Sequence, residues 1–451
     1  MLSKSRFTRG SNCHRSLWLY QYKRQGQFFP EATLKIFARG TSAGELARDY
    51  FPGGQLAVME PLPGYASAKR TQQMIARGVE TIYEATFIFD DTLVAIDILH
   101  KNAEGRWDLY EVKSTNGVKP EHAKDVAVQY YVAQGSGLPM GGAFLMHFNR
   151  DYVRRGPIKV GQLFLPENIQ SDVNFWLPEI QTTLAELRSM LKGPEPQIAM
   201  GPQCEKPYHC DFFDYCSALL PPATEATPVL SSEAVIDKEP LKDFLSQLQF
   251  PLYFLDFETI MPGVPLFDES RPYQQLPFQY SLHHQDEKGG LLYHDSYLAE
   301  SSLSLDPRPA LIEQLIAQCA PAATILAYHM PFERGRIEEM MRDFPQFADG
   351  LQTIIDRLHD LIIPFKRDIY RTETMEGSSS IKKVLPALCP DFSYDELEIG
   401  DGMAASNAFL DLYYCDDATT IQQTRQHLLD YCHLDTLAMV KILEVLYGSL
   451  G

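Results

Sequence analysis

Two short stretches of this 451-residue chain place charged side chains at the two-residue spacing of an extended strand. In "FPLYFLDFETI", Asp256 and Glu258 end an apolar run. Strand side chains alternate between faces, so these two carboxylates share one. Burying such a pair is costly unless a cation lies between them, which points to divalent-metal chemistry. In "LVAIDILHKNAEGRWDLYEVKST", two apolar-alternating segments flank the polar turn "HKNAEG", the pattern of a β-hairpin. Glu111 and Lys113 then point the same way, and a turn centred near Glu104 sets Asp97 opposite Glu111. A carboxylate pair on a divalent metal, with a lysine beside it, is what phosphodiester hydrolysis needs. The metal neutralises charge and lowers the pKa of water, and the lysine adds a positive point charge. A cross-strand ion pair on an exposed hairpin is the structural account of the same residues.

Other groups could join this chemistry. In "TRQHLLDYCHLDTLAMVKILEVLYG", a long helical pattern, Tyr431 and Asp435 are four residues apart and share a face. "GSSSIKKVLPAL" offers Ser378, Ser380 and Lys382 near a helix start, suited to a phosphate or strand contact; a cap with a surface lysine explains them as well. The first 30 residues contain Lys4, Arg6, Arg9, Arg15, Lys23 and Arg24 without an acid, a candidate phosphate-binding patch or a solvated helix start. Cys204, Cys210 and Cys216 recur at intervals of six in "CEKPYHCDFFDYC". Cys319, Cys389, Cys415 and Cys432 show no comparable spacing, and core packing accounts for them.

The elements that position these residues fall into two halves. A segment rich in Pro, Ser, Thr and Ala, residues 217–240, reads as a linker between domains at 1–216 and 241–451. Both halves show α/β patterning: helix, strands, then helix before the linker; buried strand, helix, strand and terminal helix after it. A length of 451 residues suits two or three domains. No apolar run is long enough to span a bilayer, and the N-terminus lacks the apolar block of a secretory signal. The expected setting is therefore cytoplasmic and free of membrane, where eight cysteines serve as thiols or metal ligands rather than disulfides. A net charge of −19, from 40 basic and 59 acidic residues, argues against a protein that coats nucleic acid nonspecifically. It leaves room for an enzyme with a local basic channel.

The order Asp97, Glu111, Lys113 resembles the signature of PD-(D/E)XK nucleases. Upstream, "RGTSAGELARDYFPGG" resembles the first-helix motif of that superfamily, with Glu45 as an extra carboxylate; many RecB-like members carry a histidine near this position. Downstream, "DVAVQYYVAQGSG" is similar to the RecB-type motif in which Gln129 and Tyr130 or Tyr131 follow the lysine. A subset of RecB-like nucleases, CRISPR-associated ones among them, carries an iron–sulfur staple of one cysteine before the core and three after it. The resemblance implies Cys13, in "SNCHRSLWL", as the fourth ligand beside Cys204, Cys210 and Cys216, with a shorter first gap common in the family. Four thiolates suit a 4Fe-4S cluster, the implied cofactor, or a tetrahedral zinc.

The C-terminal half resembles DnaQ-like (DEDDy) exonucleases of RNase H-like fold. Asp256 and Glu258 match the first motif, and Tyr431 and Asp435 the last, with Tyr431 orienting the attacking water. The central motif, usually Asn, two residues, then Phe-Asp, is here "YHMPFERG", with His329 and Glu333 in place of the Asn and Asp. Asp360 is the reserve carboxylate, and His433 is given no role. The combination resembles a bacterial family of unknown function.

The resemblances imply a nuclease with two sites, each using Mg2+ or Mn2+, the C-terminal one releasing 5′-nucleotides from 3′ ends. DNA is the expected partner ahead of RNA. Lys4, Arg6, Arg9, Ser380 and Lys382 are the expected strand contacts. Two alternatives stand: a single-site nuclease, with Glu333 exposing the C-terminal domain to loss of activity, or a silent nucleic-acid-end binding module in a repair or defence complex. No GxxxxGK[ST] loop is present, so unwinding needs a helicase partner.

Overall fold

The computed structural model describes residues 1–24, 42–59, 62–206, 209–220, 231, 233–394 and 397–450. The chain is mixed α/β and divides into two compact units, Met1–Thr224 and Glu225–Gly451. Part of the 217–240 segment is structured: its first residue ends a helix, and a strand at Val235–Ile236 and a helix from Lys238 occupy its end. Residues 221–230 and 232 lie outside the described residues. No helix among the described residues is long and apolar enough to cross a membrane.

The first unit opens with β1 (Leu2–Ser3), α1 (Lys4–Asn12), α2 (His14–Tyr22) and α3 (residues 42–47). There follow β2 (Gln55–Leu56), α4 (Tyr65–Ala76), β3 (Thr81–Phe89), β4 (Thr92–Lys101), β5 (Trp107–Val112), α5 (Pro120–Gly135), β6 (Met140–Phe148), α6 (Val160–Leu163), β7 (Phe164–Asn168), α7 (Gln170–Met190) and α8 (Phe213–Ser217). The strands form a sheet in the order β2-β3-β4-β5-β6-β7, with β1 beside β4. Strands β3, β4 and β5 run antiparallel, whereas α5 crosses between the parallel pair β5 and β6. Ile82, Ile96, Leu99 and Leu109 of the sheet meet Val126, Val132, Leu184 and Leu187 of α5 and α7 in one core. Each such fully buried aliphatic stabilises the unit by about 1.5–3 kcal/mol relative to exposure. Helix α5 is buried on nearly all sides because the sheet and α7 both cover it.

The second unit runs β8 (Val235–Ile236), α9 (Lys238–Ser246), β9 (Leu252–Ile260), β10 (Leu276–Gln285), β11 (Tyr293–Leu298), α10 (Arg308–Cys319), β12 (Thr324–Ala327), α11 (Pro331–Asp343) and α12 (Ala348–Ile355). It continues with β13 (Leu358–Asp360), α13 (Ile363–Lys366), β14 (Tyr370–Arg371), α14 (Ile381–Leu388), α15 (Gly402–Leu412) and α16 (Ala418–Gly448). The main sheet has the order β11-β10-β9-β12-β13, so the first long strand, β9, is central. Strands β10 and β11 extend it antiparallel, and β12 and β13 extend it parallel. Both faces of β9 are covered, which is why it reads as a continuous apolar run. Tyr253, Leu255 and Phe257 pack toward α10, α11 and α12. Leu252, Phe254 and Ile260 pack with α14, α15 and α16. Asp256 and Glu258 have the parity of this second set, so the strand's alternation delivers them to the face that α16 covers.

Candidate metal centres

In the second unit, ligand atoms of Asp256, Glu258 and Asp435 all lie within 4.8 Å of one another. Glu258 and Asp435 are buried, and no basic side chain forms an ion pair with any of the three among the described residues. Burial and the Asp435 carboxylate push both Asp256 and Glu258 well above the ordinary carboxylate range. Asp435 is raised to about 6: burial raises it, while hydrogen bonding from Tyr394, the Lys382 ammonium and the Tyr431 hydroxyl hold it down. The Tyr394 hydroxyl donates to Asp435 Oδ1 at 2.7 Å. Three carboxylates held this close favour either protons or a divalent cation, and oxygen donors suit Mg2+ or Mn2+.

Glu333, near the start of α11, is 2% exposed, and its Oε2 finds no hydrogen-bond partner among the described residues. Burial raises it to about 8, with Asp360 and Asp435 contributing. Its influence also reaches Asp256 and Glu258, so it borders the same cluster. Asp360 plays a different part, because its Oδ1 accepts from the backbone N–H groups of His329 and Ile362 at 3.1 and 3.2 Å. It braces the β12–α11 corner, where His329 has φ +70°, a conformation that costs non-glycine residues energy unless the surroundings hold it. Lys382 donates to the Gly400 carbonyl at 2.5 Å and lies over the Tyr394 and Tyr431 rings, 5.6 and 5.8 Å from their centroids. Ser380 is exposed at the N-cap of α14 and makes no side-chain capping bond.

The first unit assembles its own set. The hairpin pairs Ile98 with Tyr110 and Leu99 with Leu109, so Asp97 falls opposite Glu111. Asp97 Oδ2 accepts from the Val112 N–H at 2.7 Å. Glu111 is 2% exposed and fully engaged: Oε1 meets Lys4 at 2.7 Å and Lys113 at 2.8 Å, and Oε2 accepts from Gln129 Nε2 at 2.7 Å. Burial pushes the Glu111 carboxyl upward, but the Lys113 and Lys4 ammoniums outweigh it and hold it well below the usual range. Asp97 goes the other way, to about 7, through burial and the Glu111 charge. Asp125, one turn before Gln129 on α5, receives Lys113 at 3.2 Å and Thr8 at 2.7 Å. Helical spacing from Gln129 is the signal that would have found it.

The structure gives two groups of expected residues other surroundings. Glu45 is exposed on α3, whereas Ala43 and Ala47, one turn apart, are the residues that face inward. The further carboxylate beside Asp97 is Glu84 of β3, which sits between the register pairs Tyr83–Ile98 and Ala85–Ile96 and has φ +53°. Burial raises its pKa, against the pull of Arg48 at 3.4 Å. Lys4 and Arg9 are also not free strand contacts: Lys4 pairs with Glu111, and Arg9 grips Asp211 through two bonds of 2.7 and 2.9 Å. Arg6 bonds the Met1 carbonyl at 3.1 Å. Of the tyrosines that follow Gln129, Tyr130 bonds the Gly141 carbonyl and Tyr131 bonds Asp90.

Cys13, at the break between α1 and α2, lines one pocket with Cys204, Cys210 and Cys216. Burial raises the Cys210 and Cys216 thiols, and each feels the Cys13 sulfur. Among the described residues, no three of these thiols bring their sulfurs within 4.8 Å of one another, as the carboxylate set does. Four thiols lining one pocket suit either a zinc ion or a four-iron cluster.

Residues 253–380 match the model of a family described as a domain of unknown function (DUF2779). The match takes in Asp256, Glu258, Glu333 and Asp360, and ends before Lys382 and α16. The chain is 28% identical over 218 residues to "Uncharacterized protein MG366 homolog" of Mycoplasma pneumoniae, a match covering 45% of this chain and 33% of that one. It is 25% identical over 217 residues to "Uncharacterized protein MG366" of Mycoplasma genitalium, covering 45% and 32%. The chain thus spans about a third of the length of the curated relatives it matches.

Proposed function

We propose that the protein is a metal-dependent nuclease whose C-terminal unit is a DnaQ-like 3′–5′ exonuclease. The observation that carries this is the convergence of Asp256, Glu258 and Asp435 within 4.8 Å on the face of β9 beneath α16. The sheet order β11-β10-β9-β12-β13, with three antiparallel strands and two parallel ones, supports an RNase H-like fold for the unit. A bound Mg2+ or Mn2+ supplies Lewis-acid stabilisation of charge on a phosphodiester oxygen. Asp256, Glu258 and Asp435 would hold it, with Glu333 at the border. Tyr431 orients the attacking water, Tyr394 fixes the Asp435 carboxylate, and Lys382 adds positive charge toward the strand.

The N-terminal unit supports a PD-(D/E)XK reading through Asp97, Glu111, Lys113 and Gln129, with a 4Fe-4S cluster on Cys13, Cys204, Cys210 and Cys216 as its staple. A second reading, a single-site nuclease, is favoured by the state of Glu111. Lys4 and Lys113 share its Oε1 and Gln129 holds its Oε2, so a cation binding there competes with donors already in place. In this reading the C-terminal site is the live one. The test is cleavage of end-labelled single-stranded DNA, duplex DNA and RNA in Mn2+ and in EDTA, comparing wild type with Lys113→Ala, Asp256→Ala and the double variant. Two live sites give each single variant a distinct product pattern. A single live site leaves Lys113→Ala unchanged and Asp256→Ala inactive. End binding without cleavage under any metal would overturn the nuclease reading in favour of a binding module in a repair or defence complex.

A further inference from the structure

Strands β10 and β11 pair so that His283 stands directly opposite His294. His433 of α16 completes a triangle, with ring centroids 4.4 Å apart for His283 and His294, 4.4 Å for His294 and His433, and 4.7 Å for His283 and His433. One ring nitrogen from each lies within 4.8 Å of the others. The remaining nitrogens of the two strand histidines have hydroxyl partners. His283 Nδ1 is 2.8 Å from Thr436 Oγ1, and His294 Nε2 is 2.9 Å from Ser281 Oγ. The two hydroxyl oxygens are 2.6 Å apart, and Thr436 also donates to the His433 carbonyl at 3.2 Å.

One proton arrangement satisfies all of these groups. Thr436 donates to the carbonyl and accepts from His283 Nδ1–H and from the Ser281 hydroxyl, which itself accepts from His294 Nε2–H. The lone pairs are then left on His283 Nε2 and His294 Nδ1. Metal-ligating histidines are held this way, one nitrogen tethered and the other free to coordinate.

We propose that His283, His294 and His433 form a binding site for a borderline transition metal, zinc foremost, separate from the carboxylate set. Three imidazoles suit zinc, whereas the all-oxygen set of Asp256, Glu258 and Asp435 suits Mg2+ or Mn2+. His294 is exposed, so a fourth coordination position opens to solvent, as in zinc sites that bind water or substrate. The site ties β10, β11 and α16 together beside the carboxylates: Ser281 is the register partner of Asp256, and Thr436 follows Asp435.

Co2+ is the probe, because thiolate ligation adds strong near-ultraviolet charge-transfer bands that imidazole ligation lacks. The full chain, in excess Mg2+, is titrated with Co2+ as wild type, His294→Ala, and His294→Ala with His433→Ala. The double variant is expected to lose one bound equivalent of Co2+ and its thiolate-free visible band, with the thiolate bands unchanged. Ser281→Ala, which keeps all three rings but removes a tether, is expected to weaken that equivalent about 10–100-fold. The exposed position of His294 makes the single variant a safe folding control, and wild-type Co2+ affinity in folded His294→Ala would overturn the site. Asp256→Asn should keep the equivalent, which separates failure here from failure of the nuclease reading.

Discussion

Gln129 has no exposed surface, and its amide is what completes the Glu111 carboxylate. Replacing it with alanine leaves a buried anionic oxygen unpaired, a loss of about 1–3 kcal/mol. Urea unfolding checks this: Gln129→Ala should lower the midpoint without changing the slope. Asp256 responds in the opposite sense. In EDTA, Asp256→Asn removes a repelled carboxylate and should raise the Tm, while abolishing the stabilisation that Mn2+ gives the wild type. A residue placed for packing alone would show neither effect. Differential scanning fluorimetry with and without Mn2+ reads both.

At the scale of elements, β9, α11 and α16 between them set the pH response of the second unit. Asp435 is raised to about 6 and Glu333 to about 8, with Asp256 and Glu258 also high. Between about pH 4 and pH 8 the metal-free folded state therefore binds more protons than the unfolded chain, whose carboxyls are already ionised. Its stability falls as pH rises through that window. Thermal denaturation in EDTA should show the Tm dropping from about pH 5 to about pH 8, with Mn2+ restoring it at the upper end. Glu111 works on the acid side with the opposite sign: its lowered pKa contributes stability above its ordinary value of 4.5, lost as pH falls below it. An Asp256→Asn variant should flatten the neutral part of the curve and leave the acid limb unchanged.

For the whole molecule, two units mean two separable responses. The thiol pocket joins the α1–α2 junction to residues 204–216, closing most of the first unit into one loop. A cluster there acts on folding rather than on chemistry. Anaerobic preparation should give a brown protein with broad visible absorbance. Cys210→Ser should bleach it and lower the unfolding transition of the first unit, while the Asp256-dependent Mn2+ response of the second persists. A colourless protein with stoichiometric zinc would assign the thiols to zinc instead.

Local pattern determined a good deal. The alternation in "LVAIDILHKNAEGRWDLYEVKST" is enough to put Asp97 opposite Glu111, because a hairpin's turn sets its register. The two-residue spacing of Asp256 and Glu258 is enough to put them on one face of β9, and the four-residue spacing of Tyr431 and Asp435 on one face of α16. Which residues those faces meet was decided by tertiary packing. Glu45 carries the right side chain, but α3 turns Ala43 and Ala47 inward, and Glu84 from a neighbouring strand takes the place beside Asp97. Lys4 looks like a phosphate contact until α1 brings it to a buried carboxylate more than a hundred residues away. The histidine triangle joins two strands and a helix across 150 residues of chain, a juxtaposition no local period encodes. Periodicity sets the direction of a side chain within its own element, but its partner depends on how the elements pack.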